Sequence, residues 1–332
     1  MKKLLIIGGT RFVGRNLIEA LLQNGTYDIT LFNRGISNPN LFPTIKSIKG
    51  DRKIKADIEM IATSYWDCII DISGYWPSAL EMQLPLLEGK VGKYIYISTS
   101  SHYAFDEAHP HPIKEDEALV DCTPEEKASD DKQYYNQHKA ECERIIQSHA
   151  WLNAVILRPG LIIGKYDYTD RLYYWFHKVY SQQQLLVADD GKHAISFTDV
   201  NDLAKAIIQS IDAEKSDVYN VSSFTASIAD FIALAKHRLH KNPLLISATA
   251  DFLKAHGVAE WIHLPLWLNG DYLQTDSTKI KKAYNFSFSP IEETTDKLLD
   301  FYANTLQWKQ PETTMPSLPA EKEAELMDVL LL

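Results

Sequence analysis

The chain has 332 residues, 45% of them apolar, 11% aromatic and 23% charged, with a formal net charge of −10. At ~150 residues per domain this length suggests about two domains and excludes a single small module, while the aromatic and apolar content excludes a disordered chain. The acidic balance, with no stripe rich in Lys and Arg, argues against the basic footprint that duplex nucleic acid requires.

A first buried strand is predicted over residues 3–7 (Lys3-Leu4-Leu5-Ile6-Ile7). Its apolar run stops at Gly8-Gly9, short of the roughly seven residues a signal h-region needs. At the other end, Val329-Leu330-Leu331-Leu332 is too short to span a bilayer. A cytoplasmic protein with no membrane partner is expected. A helix follows over 12–23, and Asn24-Gly25 are residues suited to a left-handed cap behind it. Strands are predicted over 28–32, 45–49 and 67–72, with helices over 57–63 and 77–88, and a fifth strand over 93–98. Residues 104–133 then hold ten carboxylates against Lys114, Lys127 and Lys132, a local charge of −7. This acidic segment is read as a loop; if it is a mobile lid over the site, bound substrate is expected to protect it from proteolysis. A helix over 131–148 and a strand over 154–157 complete the first part.

Strands alternating with helices, the strands apolar throughout, predict an α/β fold: a Rossmann-like doubly wound parallel sheet buried on both faces. The expected domains are a nucleotide-binding domain at 1–164, rejoined by 191–222 with its helix over 199–211 and strand over 218–221. A smaller, interleaved C-terminal substrate lobe is expected at 165–190 and 223–310, with a tail at 311–332. Cys68, Cys122 and Cys142 are an odd set without CxxC spacing, so no disulfide framework is expected. Histidines 109 and 111, near Asp106 and Glu107, are read as a solvated loop, since structural zinc needs four converging ligands. No metal is expected.

The turn Gly8-Gly9-Thr10-Arg11-Phe12-Val13-Gly14 follows a strand and opens a helix. A dinucleotide pyrophosphate needs that placement: glycine for the tight turn, open amides at the helix start, and the helix dipole behind them. Gly8, Thr10, Arg11, Phe12, Val13 and Gly14 are therefore the predicted phosphate-binding residues. Arg11 stands at a position that is often glycine. The second strand ends in Asn33-Arg34 where NAD enzymes usually carry an acid. Arginine binds phosphate through a planar fork, so Arg11 and Arg34 favour NADP over NAD.

Tyr135 and Lys139 stand four apart in a predicted helix, which puts them on one face. A tyrosine titrates near ~10, and a cation within a few ångströms brings it towards the range useful for acid–base catalysis. With 17 tyrosines in the chain, such a pair also arises by chance, and Tyr174 with Lys178 is a second one. Position separates them. Tyr135 lies in the helix after the strand that ends at Ser98-Thr99, where ligands of open parallel sheets bind. Tyr174 sits in the aromatic run Tyr173-Tyr174-Trp175-Phe176, read as core or pocket wall.

Together with Gly50-Asp51, Asp71-Ile72-Ser73-Gly74, Ser98-Thr99 followed by Tyr103, Arg158-Pro159-Gly160 to Gly164, and Phe197-Thr198-Asp199-Val200-Asn201-Asp202, these marks make the sequence resemble the short-chain dehydrogenase/reductase superfamily. The resemblance is to its extended or atypical branch, the NAD-dependent epimerase/dehydratase family, from residue 3 to about 310. It implies a catalytic triad of Thr99, Tyr135 and Lys139. It further implies that Asp51 contacts adenine, that Ser73, Gly74 and Pro159 line the cofactor, and that homodimers through two long helices are common. The glycine turn with Leu31-Phe32-Asn33-Arg34-Gly35 is similar to a sub-branch related to chloroplast stem-loop RNA-binding proteins.

The expected function is that of an NAD(P)-dependent oxidoreductase or epimerase, transferring hydride at a carbonyl or alcohol carbon of a sugar-like or other small substrate. Dehydration is disfavoured. The family's dehydratases place Asp-Glu just after the threonine, whereas this chain has Ser100-Ser101. Ser101, His102, Arg171 and His193 are candidate substrate contacts. The alternative is a non-catalytic NAD(P)-binding regulatory or RNA-binding protein on the same fold.

Overall fold

A computed structural model describes residues 1–104, 112–214, 216–270, 273–311 and 317–331. In chain order its elements are β1 (Lys2–Ile7), α1 (Phe12–Asn24), β2 (Tyr27–Asn33), β3 (Lys46–Lys49), α2 (Lys55–Ile61), β4 (Trp66–Asp71), α3 (Pro77–Leu87), β5 (Val91–Ile97), α4 (Pro124–Ala128), α5 (Tyr135–Ser148), β6 (Ala154–Pro159) and β7 (Leu161–Ile163). There follow α6 (Arg171–Ser181), β8 (Gln184–Ala188), β9 (Ala194–Asp199), α7 (Val200–Ile211), β10 (Asp217–Val221), β11 (Phe224–Ser227), α8 (Ile228–Leu239), β12 (Leu244–Ala248), α9 (Ala250–Ala255), α10 (Thr278–Tyr284), α11 (Ile291–Phe301) and α12 (Ala320–Leu331). The chain forms two compact units. Unit 1 comprises Met1–Ile162, Val200–Ser222 and Thr275–Ser287; unit 2 comprises Ile163–Asp199, Ser223–Gln274 and Phe288–Leu332.

In unit 1, among the described residues, seven strands form one parallel sheet in the order β3-β2-β1-β4-β5-β6-β10. Leu4, Leu5, Ile6, Ile69, Ile70 and Ile95 are wholly buried. Each such side chain contributes roughly 1.5–3 kcal/mol over an exposed one. α1 packs with α7, and α3 with α5. Strand order turns back between β1 and β4, the place where sheets of this kind take ligands beyond their carboxyl ends. Register sets Ile7 beside both Phe32 and Asp71. The turns after β1, β2 and β4 are thereby gathered at one spot.

Unit 2 has α6 packed with α8, β9 antiparallel to β11, and β8 parallel to β12. The bounds differ from those expected. Residues 194–199 stay in unit 2 because β9 pairs with β11 there. Residues 275–287 return to unit 1, where Ser222 N donates to Ser277 Oγ at 2.7 Å and Asn220 Nδ2 to the Asp276 carbonyl at 3.2 Å. The described part of the tail belongs to unit 2, where the buried Glu323 of α12 pairs with the buried Lys178 of α6.

The fifth helix starts later than expected. Asp131 accepts from Gln133 N at 3.0 Å and caps a 3-10 turn over Lys132–Tyr134, so Tyr135 is the first residue of α5. Residues 105–111, with histidines 109 and 111, lie outside the described residues. The described part of the acidic segment is fastened to unit 1. Val120 N donates to the His102 carbonyl at 2.9 Å, Thr123 forms a capping box with Glu126 for α4, and Lys127 pairs with Glu81 and Glu141.

Candidate active site

The first component is a cradle at the end of β1. Gly8 and Gly9 have φ of 105° and 101°, a region costly for any residue with a side chain. A Cβ on Gly14 would lie 2.4 Å from Gly9 Cα, so α1 starts directly against the turn. Arg11 precedes α1 in extended conformation with no side-chain cap on the helix, leaving the first-turn amides for a ligand. Thr10 Oγ1 donates to the Ser37 carbonyl at 2.6 Å. Phe12 is buried, whereas Arg11 and Arg34 are exposed. Asn33 joins two turns: its Nδ2 donates to the Gly8 carbonyl at 3.2 Å and its Oδ1 accepts from Gly35 N at 2.9 Å. Ser73 Oγ reaches the Ile7 carbonyl at 3.3 Å. Close glycine backbone, open amides and a polar rim at one crevice suit a dinucleotide.

Behind the cradle is a buried polar group that the sequence did not announce. Arg52 meets Asp71 with two bonds, of 2.6 and 2.7 Å, and Tyr94 OH donates to Asp71 Oδ2 at 2.8 Å. Burial alone would raise the Asp71 carboxyl, but the Arg52 guanidinium outweighs it and holds the group below the usual carboxylate range. Its neighbour Asp51 accepts from Lys53 N at 2.9 Å, and nothing in the sequence separated Arg52 from the many exposed charges.

The second component joins β5 to α5. Lys139 is buried, and its Nζ donates to the Ile97 carbonyl at 2.6 Å and the Gly74 carbonyl at 2.9 Å. The ammonium also lies 4.4 Å from the Tyr96 ring centre and 5.2 Å from that of Tyr75. Burial brings Lys139 down to about 8, while neighbouring anions such as Asp71 and Glu143 oppose that fall. Tyr135 remains 38% exposed, and its ring centre is 5.8 Å from that of Tyr75. Thr99 Oγ1 lies 2.9 Å from Ser101 Oγ, which donates to Asn136 Oδ1 at 2.8 Å. The threonine is thus tied to the residue after Tyr135. Pro159 is buried at the end of β6, and its carbonyl accepts from Ser100 N at 2.8 Å.

His102 differs from expectation. It has no exposed surface, and its Nε2 lies 3.0 Å from Glu143 Oε1. Arg158 bonds both Glu143 oxygens and also donates to Tyr103 OH at 2.8 Å. Burial works against a charged Glu143, yet His102 and Arg158 bring it to about 2. His102 therefore belongs to an interior network that holds the Thr99 turn to α5, and it offers no surface to a substrate. Asn136, Tyr75 and Glu143 were all missed. Glu143 is within reach of the helical period, four residues beyond Lys139, but no local pattern points to its partners His102 and Arg158.

Arg171 and His193 belong to unit 2. Arg171 Nε donates to Thr169 Oγ1 at 3.0 Å, and its guanidinium lies 5.6 Å from the Trp261 ring centre. His193 lines a small recess with Trp175, Leu266 and Trp267. Among the described residues no group of three His, Cys, Asp or Glu is placed to hold a metal ion, and no helix is long and apolar enough to cross a membrane.

Residues 4–222 match the NAD dependent epimerase/dehydratase family. A chloroplast stem-loop binding protein of 41 kDa from Arabidopsis thaliana is 30% identical over 242 residues, covering 67% of this chain and 58% of its own length. The chain therefore spans little more than half of that relative. Among solved structures, dTDP-glucose 4,6-dehydratase from Bacillus anthracis in complex with NAD superposes with a TM-score of 0.73 at 16% identity, covering 94% of this chain and 99% of that one. UDP-glucose 4-epimerase from Thermotoga maritima with UDP-glucose gives 0.71 at 16% identity, over 92% and 99%.

Proposed function

The chain belongs to the NAD dependent epimerase/dehydratase family, and from that premise we propose that it is a nicotinamide-dependent oxidoreductase or epimerase acting at a carbonyl or alcohol carbon of a sugar-like or other small substrate. One arrangement supports this most: Lys139, held on two backbone carbonyls, shares the Tyr75 ring with Tyr135, while Thr99 is linked to α5 through Ser101 and Asn136.

When bound, the nicotinamide supplies the hydride donor or acceptor. Gly8, Thr10, Arg11, Phe12, Val13 and Gly14 would hold the pyrophosphate, Asn33 and Arg34 the adenosine ribose, and Asp51 the adenine. Ser73, Gly74 and Pro159 would line the remainder. Tyr135 moves the proton to or from the substrate oxygen. The Lys139 ammonium lowers the cost of the phenolate, and the Thr99 hydroxyl holds the oxygen. Ser100 and Ser101 offer no carboxyl for elimination, which favours epimerisation or simple redox over dehydration. Exposed Arg11 and Arg34, with Asn33 in place of an acid at the end of β2, favour NADP over NAD. Arg171 and His193 are proposed as substrate contacts, and a homodimer as the assembly.

The test combines coenzyme titration with turnover on UDP-glucose, dTDP-glucose and simple aldehydes. Tyr135→Phe is expected to leave the NADPH dissociation constant within about twofold while turnover falls by roughly 10²–10⁴; full activity in that variant removes the phenol from the chemistry. Arg34→Asp is expected to narrow the gap between NADPH and NADH affinities, and an unchanged ratio overturns the NADP preference. Native mass spectrometry reads copurified nucleotide and assembly size together.

The stem-loop binding relative supports a second reading, a non-catalytic NAD(P)-binding regulatory or RNA-binding protein. Salt-sensitive retention of structured RNA on filters without turnover would favour it. The net charge of −10 works against it.

A further inference from the structure

We propose that Asn136 is a positioning residue: acting through Ser101, its side-chain amide decides whether Thr99 presents a hydrogen or a lone pair to the substrate oxygen. The proposal rests on the reading of Thr99, Tyr135 and Lys139 as the groups that meet that oxygen.

The argument is a count of hydrogens. The Ser101 hydroxyl has one, and gives it to Asn136 Oδ1 at 2.8 Å. The 2.9 Å contact between the two hydroxyls must then use the hydrogen of Thr99. Thr99 Oγ1 also accepts from Ser101 N at 3.2 Å. Its only hydrogen is turned inward, and one lone pair is left facing outward. A carbonyl oxygen accepts and cannot donate, so it meets a lone pair there and gains no bond. An alcohol that passes its own hydrogen to Tyr135 fares no better.

Half a turn of the Asn136 amide reverses the series. Nδ2 then donates to Ser101, Ser101 to Thr99, and Thr99 to the bound oxygen. A carboxamide offers donor and acceptor interchangeably at one place; a carboxylate only accepts and an alkyl group does neither. Asn136 is the second residue of α5 and follows Tyr135 directly. The switch and the proton carrier therefore share one helical turn.

Two measurements test the proposal. Neutron diffraction from deuterium-exchanged crystals of the wild-type protein is expected to show the Ser101 deuterium towards Asn136 and the Thr99 deuterium towards Ser101. A Thr99 deuterium directed away from Ser101 while the Ser101 deuterium still points to Asn136 Oδ1 overturns the proposal. The second measurement compares Asn136→Ala with Asn136→Asp in NADPH-dependent reduction of the simple aldehydes, after circular dichroism has verified folding. Alanine frees Ser101 to donate to Thr99, whereas aspartate holds the inward arrangement. The expected order of kcat is wild type, then alanine, then aspartate, with roughly tenfold or more between the two variants, as for loss of one hydrogen bond to a reacting group. A residue that merely fills space gives the reverse order, because aspartate nearly matches asparagine in shape, and that order overturns the proposal. Wild-type protein inactive on every substrate removes the enzymatic reading instead, and the neutron map still decides which way the hydroxyls point.

Discussion

Lys139 has a conflict built into it. Two carbonyls and two aromatic faces favour an ammonium at its position, yet the side chain is buried and its pKa falls to about 8. Below that value the group is cationic and, in the proposed role, would support a phenolate at Tyr135; above it the charge is lost. Carbonyl reduction is therefore expected to be flat near neutral pH and to decline on an alkaline limb centred near 8, read from the pH dependence of kcat/KM. Lys139→Met is expected to remove the limb along with most of the activity, and a wild-type profile that stays flat through that range refutes the assignment. Tyr135 and Lys139 could be picked out in the sequence by place as much as by spacing, since the same interval recurs at Tyr174 and Lys178 and only the first pair follows the strand that ends at Thr99. His102 could not. It stands in the sequence as a lone histidine that could touch substrate, and only the fold shows it buried against Glu143, which Arg158 also binds. Arg52 was hidden for the same reason: its partner Asp71 is 19 residues away and becomes its neighbour only through the sheet.

The turn between β1 and α1 holds its shape through what is missing from it. Alanine in place of a mid-helix glycine ordinarily stabilises by up to ~1 kcal/mol. At Gly14 the added carbon would sit 2.4 Å from Gly9 Cα, against backbone that cannot rotate aside. Gly14→Ala is expected to push α1 off the turn, lowering Tm and weakening NADPH binding by on the order of tenfold if the turn is the proposed phosphate site. Normal binding and melting in that variant would mean that the helix start can yield. The elements of unit 1 were readable to within a few residues because uninterrupted apolar runs, punctuated by glycine and asparagine, have few other interpretations. There were three exceptions: the start of α5, where acidic residues that look helical form a capped 3-10 turn, and the short helices α4 and α10, which lie in stretches read as the acidic loop and the second lobe. The short strands of unit 2 were not readable at all. β8 finds its partner β12 with Gln184 opposite Leu244, and no local pattern encodes a pairing over that distance.

The charge of the whole molecule is better matched than its sum suggests. Part of the acidic segment is paired, with Asp130 meeting Lys53 at 2.6 Å and Lys127 meeting Glu81 and Glu141. The two-unit organisation was visible in the weakening of the strand–helix rhythm after residue 160, but the crossing points were not, because they depend on which strands pair. The buried pair Lys178–Glu323 gives the far end of the chain a structural task in unit 2. Glu323→Gln leaves an ammonium in the interior without its counter-charge, and a loss on the order of 3–5 kcal/mol is expected. Replacing both residues at once, by Lys178→Met and Glu323→Leu, is expected to be near neutral. Thermal melts of the two proteins check that contrast, and equal destabilisation would contradict it. The pair also has a consequence in time. Its two members are 145 positions apart, so during translation the cation emerges from the ribosome long before its anion. Until the later helix arrives, burying that lysine as a cation would leave it without a counter-charge.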